Sequence, residues 1–491
     1  MPNVTVVDGS GQQKDAVYAT GQDFTLYVRT TGDDSNDGLT AATAMATPQA
    51  AIDKIPSEVK HVVNINVGPG TFPGFVVSGK HIDNKNGKLF VTGTLGNWEP
   101  GPPATVYSSL SRKFDQSVLT GGPWFTVDEL KGKLVNIDGT YRRCIANSNI
   151  TIWYAFLDSI PPLTGAVIIE EEKTFLTPVA GFGIRVEGML NSNRNNFAIK
   201  NFKVDAVGTA YGVFARGSFA IKFQNVSVWY TTPNWAYGFW CVGLKSSDFL
   251  ECYCDQADSA YLLDNTLVGV GRFYADHPAN THDKLGLWAY HGSGGDDISL
   301  YFYGVDGIAV KMEGCWKMWI DAVIIETGAG DGLQLIGTDA EIIYMSIYDI
   351  GGDGLVLGGE TGYGSPANVV LTEAYIDNIR NGVILGPNST LHLVDYVGAY
   401  TAVADGWVVG AGAVLTSKVG IDGDSCGGYG LRVNDGGLVM FATDAWFDNN
   451  VTGAINLDGT VALTMAADFA SDGDSAINAA TGSRVARRDS L

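Results

Sequence analysis

The segment Asp-Gly-Leu-x-Leu stands at residues 331–335 and returns at 353–357. Extended in both directions, the same pattern reads small or polar residue, glycine, apolar, any residue, apolar. It recurs at Gly183, Gly212, Gly238, Gly286, Gly307, Gly332, Gly354, Gly382, Gly406, Gly430 and Gly453, and Ala260 and Ala476 fill two places without glycine. The mean spacing is about 24 residues, sustained over some 300 residues, which is the signature of stacked supersecondary units. A leucine-rich repeat has a similar period, but the segments after each glycine are short, β-branched and aromatic, and no amphipathic stretch of helix length separates them. The chain is therefore expected to be all-β: a parallel β-helix, or β-solenoid, of about 13 regular coils, each built of short strands buried against its neighbours. The glycine is expected to supply a positive φ at a tight turn. The preceding Asp306, Asp331, Asp353, Asp405 or Asn381 is expected to form a structural turn ladder.

A solenoid has open ends, and the first hundred residues carry a candidate lid. "MATPQAAIDKIP" reads as a short helix with Thr47 as N-cap, Pro48 at the first helical position and Pro56 as the stop. Residues 101–180 break the period and alternate like antiparallel strands, so they are expected to form an inserted β module. The resulting division is an N-terminal segment at 1–25, helix cap and first coils at 26–100, the inserted module at 101–180, the parallel β-helix at 181–480 and a polar tail at 481–491.

The bulk numbers exclude several function classes. A net charge of −22 repels a phosphate backbone, so no nucleic-acid partner is expected. No apolar run is long enough for membrane insertion, and the first residues lack the basic and apolar regions of a signal peptide, which points to synthesis in the cytoplasm. Cys144, Cys241, Cys252, Cys254, Cys315 and Cys426 show no paired metal spacing and read as free buried thiols. "DDSNDG" at 33–38 lacks the closing Glu of a calcium loop and reads as Asx-turns; no metal or other cofactor is expected.

The stretch "LYVRTTGDDSNDGLTAATAMATPQAAIDKIP" followed by "NINVGPGTF" resembles the opening of pectin-lyase-like right-handed parallel β-helix proteins, a group that includes bacteriophage tailspikes and polysaccharide lyases. "WFTVDELKGKLVNIDG" is similar to a module of phage-associated members. The resemblance implies a right-handed, homotrimeric spike of the virion tail, attached to other virion tail proteins. Such a spike acts at the bacterial cell surface, where it binds a surface polysaccharide as receptor and often depolymerises it. No family catalytic set matches residue for residue, so none is carried over.

Chemistry is sought in columns, because residues one coil apart stack about 4.8 Å apart. Glu326, Asp349, Asp377 and Asp448 each end a strand five to six residues before a repeat glycine, as in "AVIIE" and "AYID". Neighbouring members of that column would lie about 5 Å apart and next-but-one members about 10 Å, bracketing the carboxylate separations of retaining and inverting glycosidases. The alternative is a row of solvated turn carboxylates. Alternation leaves Lys317, Trp319 and Asp321, then Tyr344, Ser346 and Tyr348, then Glu373, Tyr375 and Asp377 facing outward, preceded by Arg272, Tyr274 and Asp276 and by Tyr301 and Tyr303. Rings interleaved with acids suit sugar, whose C–H faces pack on aromatics while hydroxyls bond carboxylates; cross-strand stacking and a subunit contact remain the alternatives. The catalytic candidates are Glu326 first, with Asp321 and Asp349 as partners and Glu313 in reserve. The substrate-binding candidates are Trp288, Trp316, Trp319, Tyr301, Tyr303 and Tyr348. Glycoside hydrolysis is the leading reading. A non-catalytic receptor-binding or structural tail protein is the second, and a lyase or epimerase on uronates, using the His277, His282, His291, Arg272, Tyr274 and Lys284 region, is the third.

Overall fold

The computed structural model describes residues 5–7, 13–15, 19–97, 104–110, 114–119, 130, 133–137, 140–147, 151–155, 166–178, 181–206, 211–276, 285–358, 365–418, 421–442, 445–459, 461–465, 469–470, 478–479 and 484–487. The protein is an all-β parallel β-solenoid of about 13 turns with almost no helix. Two compact units divide it, residues 1–257 with 267–274 and residues 258–266 with 275–491.

In the first unit Phe24–Val28 pairs in parallel with Val62–Val67, and that strand with Lys88–Thr92. Parallel pairing continues through Phe197–Ala206 to Lys222–Val242. Alternate residues such as Val63, Ile65 and Val67 are fully buried, as a half-buried strand requires. Helix α1 (Pro48–Asp53) begins at Thr47, whose hydroxyl accepts the Ala50 amide at 3.2 Å, and buries Ala51 and Ile52. The acids of "DDSNDG" are consumed locally. Asp33 accepts the Ser35 amide, Asp37 the Leu39 amide, and Asp34 the amides of Ala46 and Thr47. The strands between 95 and 172 pair antiparallel, for example Ala104–Leu110 with Phe114–Leu119 and Leu134–Ile137 with Thr140–Asn147.

In the second unit four strands form one parallel sheet: β1 (Gly294–Val305), β2 (Met318–Gly328), β3 (Asp339–Ile350) and β4 (Asn368–Asp377). Two inward columns, Leu300, Val323, Met345, Ala374 and Phe302, Ile325, Ile347, Ile376, are buried throughout. The ladder runs on past residue 480, because Arg484–Arg487 pairs in parallel with Ala462–Met465; the segment read as a tail carries a strand.

The repeat glycine serves a different purpose from the one expected. Gly332, Gly354, Gly382 and Gly406 do not have positive φ; each instead faces the carbonyl of the equivalent glycine in the next coil. A Cβ on Gly354 would stand 2.6 Å from the Gly382 oxygen and 2.6 Å from Ile376 Cγ2, so close approach of coils is what excludes a side chain. Positive φ belongs to a second glycine a few residues on, as at Gly314 (61°), Gly337 (56°) and Gly358 (74°). Gly354→Ala is expected to destabilise the fold by about 2 kcal/mol, the penalty of overpacking, while Gly21→Ala, with open space around it, changes little; urea denaturation of both variants checks this.

The Asp-before-Gly ladder is structural, as expected. The Asp353 amide donates to Asp331 Oδ1 at 2.8 Å, Asn381 Nδ2 to Asp353 Oδ1 at 2.7 Å, and the Tyr429 amide to Asp405 Oδ1 at 2.7 Å. All six cysteines are free and buried. Burial pushes the Cys426 thiol up to about 11 and Cys315 up to about 12, and moves Cys241, Cys252 and Cys254 up as well. An aromatic disulfide reagent at mildly alkaline pH is therefore expected to titrate no thiol in the native protein and all six in denaturant.

Candidate functional site

The outward residues of β1–β4 form two columns. Register pairs Tyr303 with Glu326, Glu326 with Tyr348, and Tyr348 with Asp377; Tyr400 follows Asp377. Phenol and carboxylate thus alternate along five coils. The neighbouring column runs Tyr301, Ile324, Ser346, Tyr375, Gly398, Asp422 and Trp446. The strands place them there because each ends in a corner of positive φ: Gly304 (66°) on β1, then the non-glycine residues Thr327, Asp349, Asn378, Thr401, Ser425 and Asn449, with φ between 43° and 59°. That left-handed corner ends the pleat and leaves the last outward side chain at the rim.

Glu326 is half-buried, and its carboxylate faces the hydroxyls of Tyr301 and Tyr348. Burial first, then the Glu326 charge, holds both phenols well above their ordinary range. Asp276 also acts on Tyr301, so the almost fully buried Tyr301 hydroxyl is faced by two carboxylates. The phenols therefore stay protonated at neutral pH.

Further along the same face lies a second acidic group. Tyr344, Tyr375 and Tyr396 follow one another with ring centroids 6.4 and 5.6 Å apart, and the Tyr396 hydroxyl donates to Asp422 Oδ2 at 3.0 Å. Burial raises the Asp422 pKa, the hydrogen bonds it shares with Asp424 and Tyr396 lower it in part, and the charge of Asp448 adds to the rise. Sequence reasoning passed over Asp422 because it precedes a glycine in "IDGD", where it reads as one more turn residue.

The candidates read from the sequence separate into groups. Glu326, Tyr301, Tyr303 and Tyr348 come together. Asp349 does not join them as a neighbour of Glu326: Tyr348 takes that position, and Asp349 sits one residue later in the left-handed corner, accepting Asn378 Nδ2 at 2.6 Å. The carboxylate that shares the Glu326 column is Asp377, two strand spacings or about 10 Å away. Asp321 lies five residues earlier on β2, between the register pairs Ile320–Ile342 and Ala322–Tyr344, and so away from the Glu326 column. Trp316 and Trp319 are exposed at the start of the same coil, with Trp319 opposite Glu341. Glu313 and Trp288 belong to a different run of paired strands, Leu285–Tyr290 with Val310–Glu313. There Trp288 pairs with Lys311, whose ammonium lies 5.4 Å from the indole and 3.3 Å from Glu313. His277, His282 and Lys284 lie outside the described residues, Arg272 and Tyr274 are buried, and the exposed His291 meets Asp264 at 3.0 Å. Among the described residues no group of three or more His, Cys, Asp or Glu is placed to hold a metal ion, and no helix is long and apolar enough to cross a membrane.

No protein-family model matches the chain, and no curated protein matches it. Solved structures to which it is similar include the A-module of mannuronan C-5 epimerase AlgE6 of Azotobacter vinelandii, 12% identical over 86% of this chain and 90% of that one, with a TM-score of 0.34. A second is tailspike protein gp49 of Pseudomonas phage LKA1, 11% identical over 87% and 72%, with a TM-score of 0.27. A third is the Gp54 tailspike of Acinetobacter baumannii bacteriophage AP22 in complex with A. baumannii capsular saccharide, 10% identical over 86% and 71%, with a TM-score of 0.20. The class to which the chain belongs is set by its own ladder: it is a parallel β-solenoid, and structures similar to it include phage tailspikes and an epimerase module.

Proposed function

We propose that the protein binds a bacterial surface polysaccharide along the acid and aromatic face of β1–β4 and depolymerises it by glycoside hydrolysis. The observation that carries this reading is the in-register alternation Tyr303, Glu326, Tyr348, Asp377, Tyr400, half-buried at Glu326. Rings at this spacing offer apolar faces to sugars, and carboxylates between them reach hydroxyls and a glycosidic oxygen. Glu326 is the principal carboxylate in this reading. Its second carboxylate is Asp377, about 10 Å away and just beyond the roughly 6.5–9.5 Å of an inverting pair, or Asp276, which also faces the Tyr301 hydroxyl.

Tyr301 and Tyr348, held protonated, are poor bases, which favours carboxylate chemistry over proton abstraction by a phenol and so disfavours a tyrosine-dependent lyase. In the fuller form of this reading the coil is right-handed, α1 caps its first end, residues 101–180 are an inserted module, and the chain is a homotrimeric spike of a phage tail, joined to other tail proteins and acting at the bacterial surface. A non-catalytic receptor-binding role uses the same face without the cleavage.

Incubation with a panel of capsular and O-antigen polysaccharides tests the proposal by following chain length, reducing ends and ultraviolet absorbance together. Shortening with new reducing ends and no absorbance is expected. An absorbing product would replace hydrolysis by elimination, and binding without shortening would leave adhesion alone.

A further inference from the structure

Charge is divided unevenly along the chain. The first compact unit holds 22 Lys and Arg against 23 Asp and Glu and the second 9 against 30, so the second carries −21 of the total −22. Strands β1–β4 lie wholly in that second unit. Between them they contain nine Asp and Glu and no Lys, Arg or His.

The charge is not cancelled where it stands. Asp339 accepts from Asn368 Nδ2 at 2.9 Å, Asp349 from Asn378 Nδ2 at 2.6 Å and Asp377 from the Thr401 hydroxyl, all of them neutral donors. Glu373 is half-buried and stands beside Tyr344 in register. Cations of the unit are engaged off these four strands: Lys311 with Glu313 at 3.3 Å, Arg380 with Asp331 at 3.6 Å and with Asp353, and Arg432 with Asp405 at 3.1 Å. Lys317 is exposed just before β2, nine residues from Glu326.

This pattern selects among glycans. An ionised carboxylate accepts hydrogen bonds and donates none, so the face requires donors from its ligand. Sugar hydroxyls and amides supply them, whereas uronate, sialate and phosphate bring further acceptors and further negative charge. A polyanion laid along Tyr303, Glu326, Tyr348, Asp377 and Tyr400 would set its own charges within one or two coil spacings, each about 4.8 Å, of Glu326 and Asp377. Screening acts over about 8 Å at physiological salt, so that repulsion persists, and no cation of β1–β4 offsets it. We infer that the polysaccharide taken by this face is uncharged, presenting hydroxyl and amide groups and carrying no uronate, sialate or phosphate. The inference rests on the proposed glycan-binding role of β1–β4 and holds whether or not binding is followed by cleavage.

Calorimetric titration of the full chain with capsular and O-antigen polysaccharides sorted by charge, at low and at high salt, is the test. The tightest ligand is expected to be uncharged, with an affinity that salt changes by less than about twofold. A polyuronate is expected to bind at least about tenfold more weakly at low salt and to gain as salt is added, because screening weakens repulsion. Glu373→Lys strengthens polyuronate binding by about tenfold and Glu373→Gln by less, with unchanged melting profiles. If Glu373→Lys melts early, Asp339→Lys at the exposed start of β3 gives the same readout. An acidic polymer bound at low salt as tightly as the best uncharged one overturns the inference and leaves the glycan-binding role standing. So does a folded lysine variant that gains nothing for polyuronate. Binding of no polymer of either kind overturns the glycan-binding role itself, and this inference with it.

Discussion

Glu326→Gln is expected to reduce polysaccharide cleavage by about a thousandfold, the range of a lost general acid or base, without lowering stability or abolishing binding. The side chain keeps its volume and an acceptor oxygen facing Tyr301 and Tyr348, so the column stays in place. What is lost is a group able to carry a proton or a full negative charge at the rim. Asp377→Asn and Asp276→Asn then discriminate between the two partners: only the true second carboxylate falls by a comparable factor when replaced. Asp349→Asn is expected to leave activity within a few fold, because an amide at that corner preserves an acceptor for Asn378. The readout is the initial rate of new reducing ends, with retained affinity measured separately on the uncleaved polymer. Wild-type rates in Glu326→Gln would remove this column as the catalytic centre and turn attention to Asp422, Asp424 and Tyr396.

The largest stability effect is expected at Arg143, whose guanidinium is fully buried. It holds Glu172 Oε1 at 2.6 Å and the Glu251 carbonyl through Nε at 3.1 Å, and the Arg143 amide donates to Glu251 Oε2 at 2.8 Å. It thereby ties two strands of the antiparallel segment, Thr140–Asn147 and Ala166–Glu172, to the coil strand carrying Glu251. Arg143→Ala removes the cation and leaves both carboxylates buried, which is expected to destabilise the protein by about 3–5 kcal/mol.

Burial raises the Glu251 pKa, and Arg142 and Arg143 pull it partly back, so removing Arg143 raises it further. A carboxyl whose folded pKa lies above its unfolded value contributes stability below the unfolded pKa and loses it as pH rises through the folded one. The deficit of Arg143→Ala is therefore smaller in mild acid and larger in mild alkali. Urea denaturation at the two pH values measures it, and a deficit independent of pH would show that Glu251 is not left charged.

The fold was legible because a solenoid writes its architecture as a period. The return of Asp-Gly-Leu-x-Leu, the β-branched segments behind each glycine and the missing helix-length stretches follow from one physical demand, that every coil bury the same strands against the next. The helical start at Thr47 and Pro48, the free buried thiols and the structural role of Asp331, Asp353 and Asp405 were equally local. Each rests on a cap, an apolar neighbourhood or an amide one coil away.

The tertiary structure alone decided register. Coils differ in length, so "SIYD" and "AYID" align by eye on their last residue, yet the ladder sets Tyr348, not Asp349, between Glu326 and Asp377. One residue in the left-handed region at the end of β3 moves Asp349 off the strand, and such a corner has no sequence mark when the residue is aspartate. The same limit hid the role of the repeat glycine: positive φ and close coil contact both select glycine, and only the position of the next coil's carbonyl tells them apart. The sequence determined which residues repeat, because burial acts on each coil alone. Which of them meet was decided by backbone pairing between coils of unequal length, a property no single coil contains.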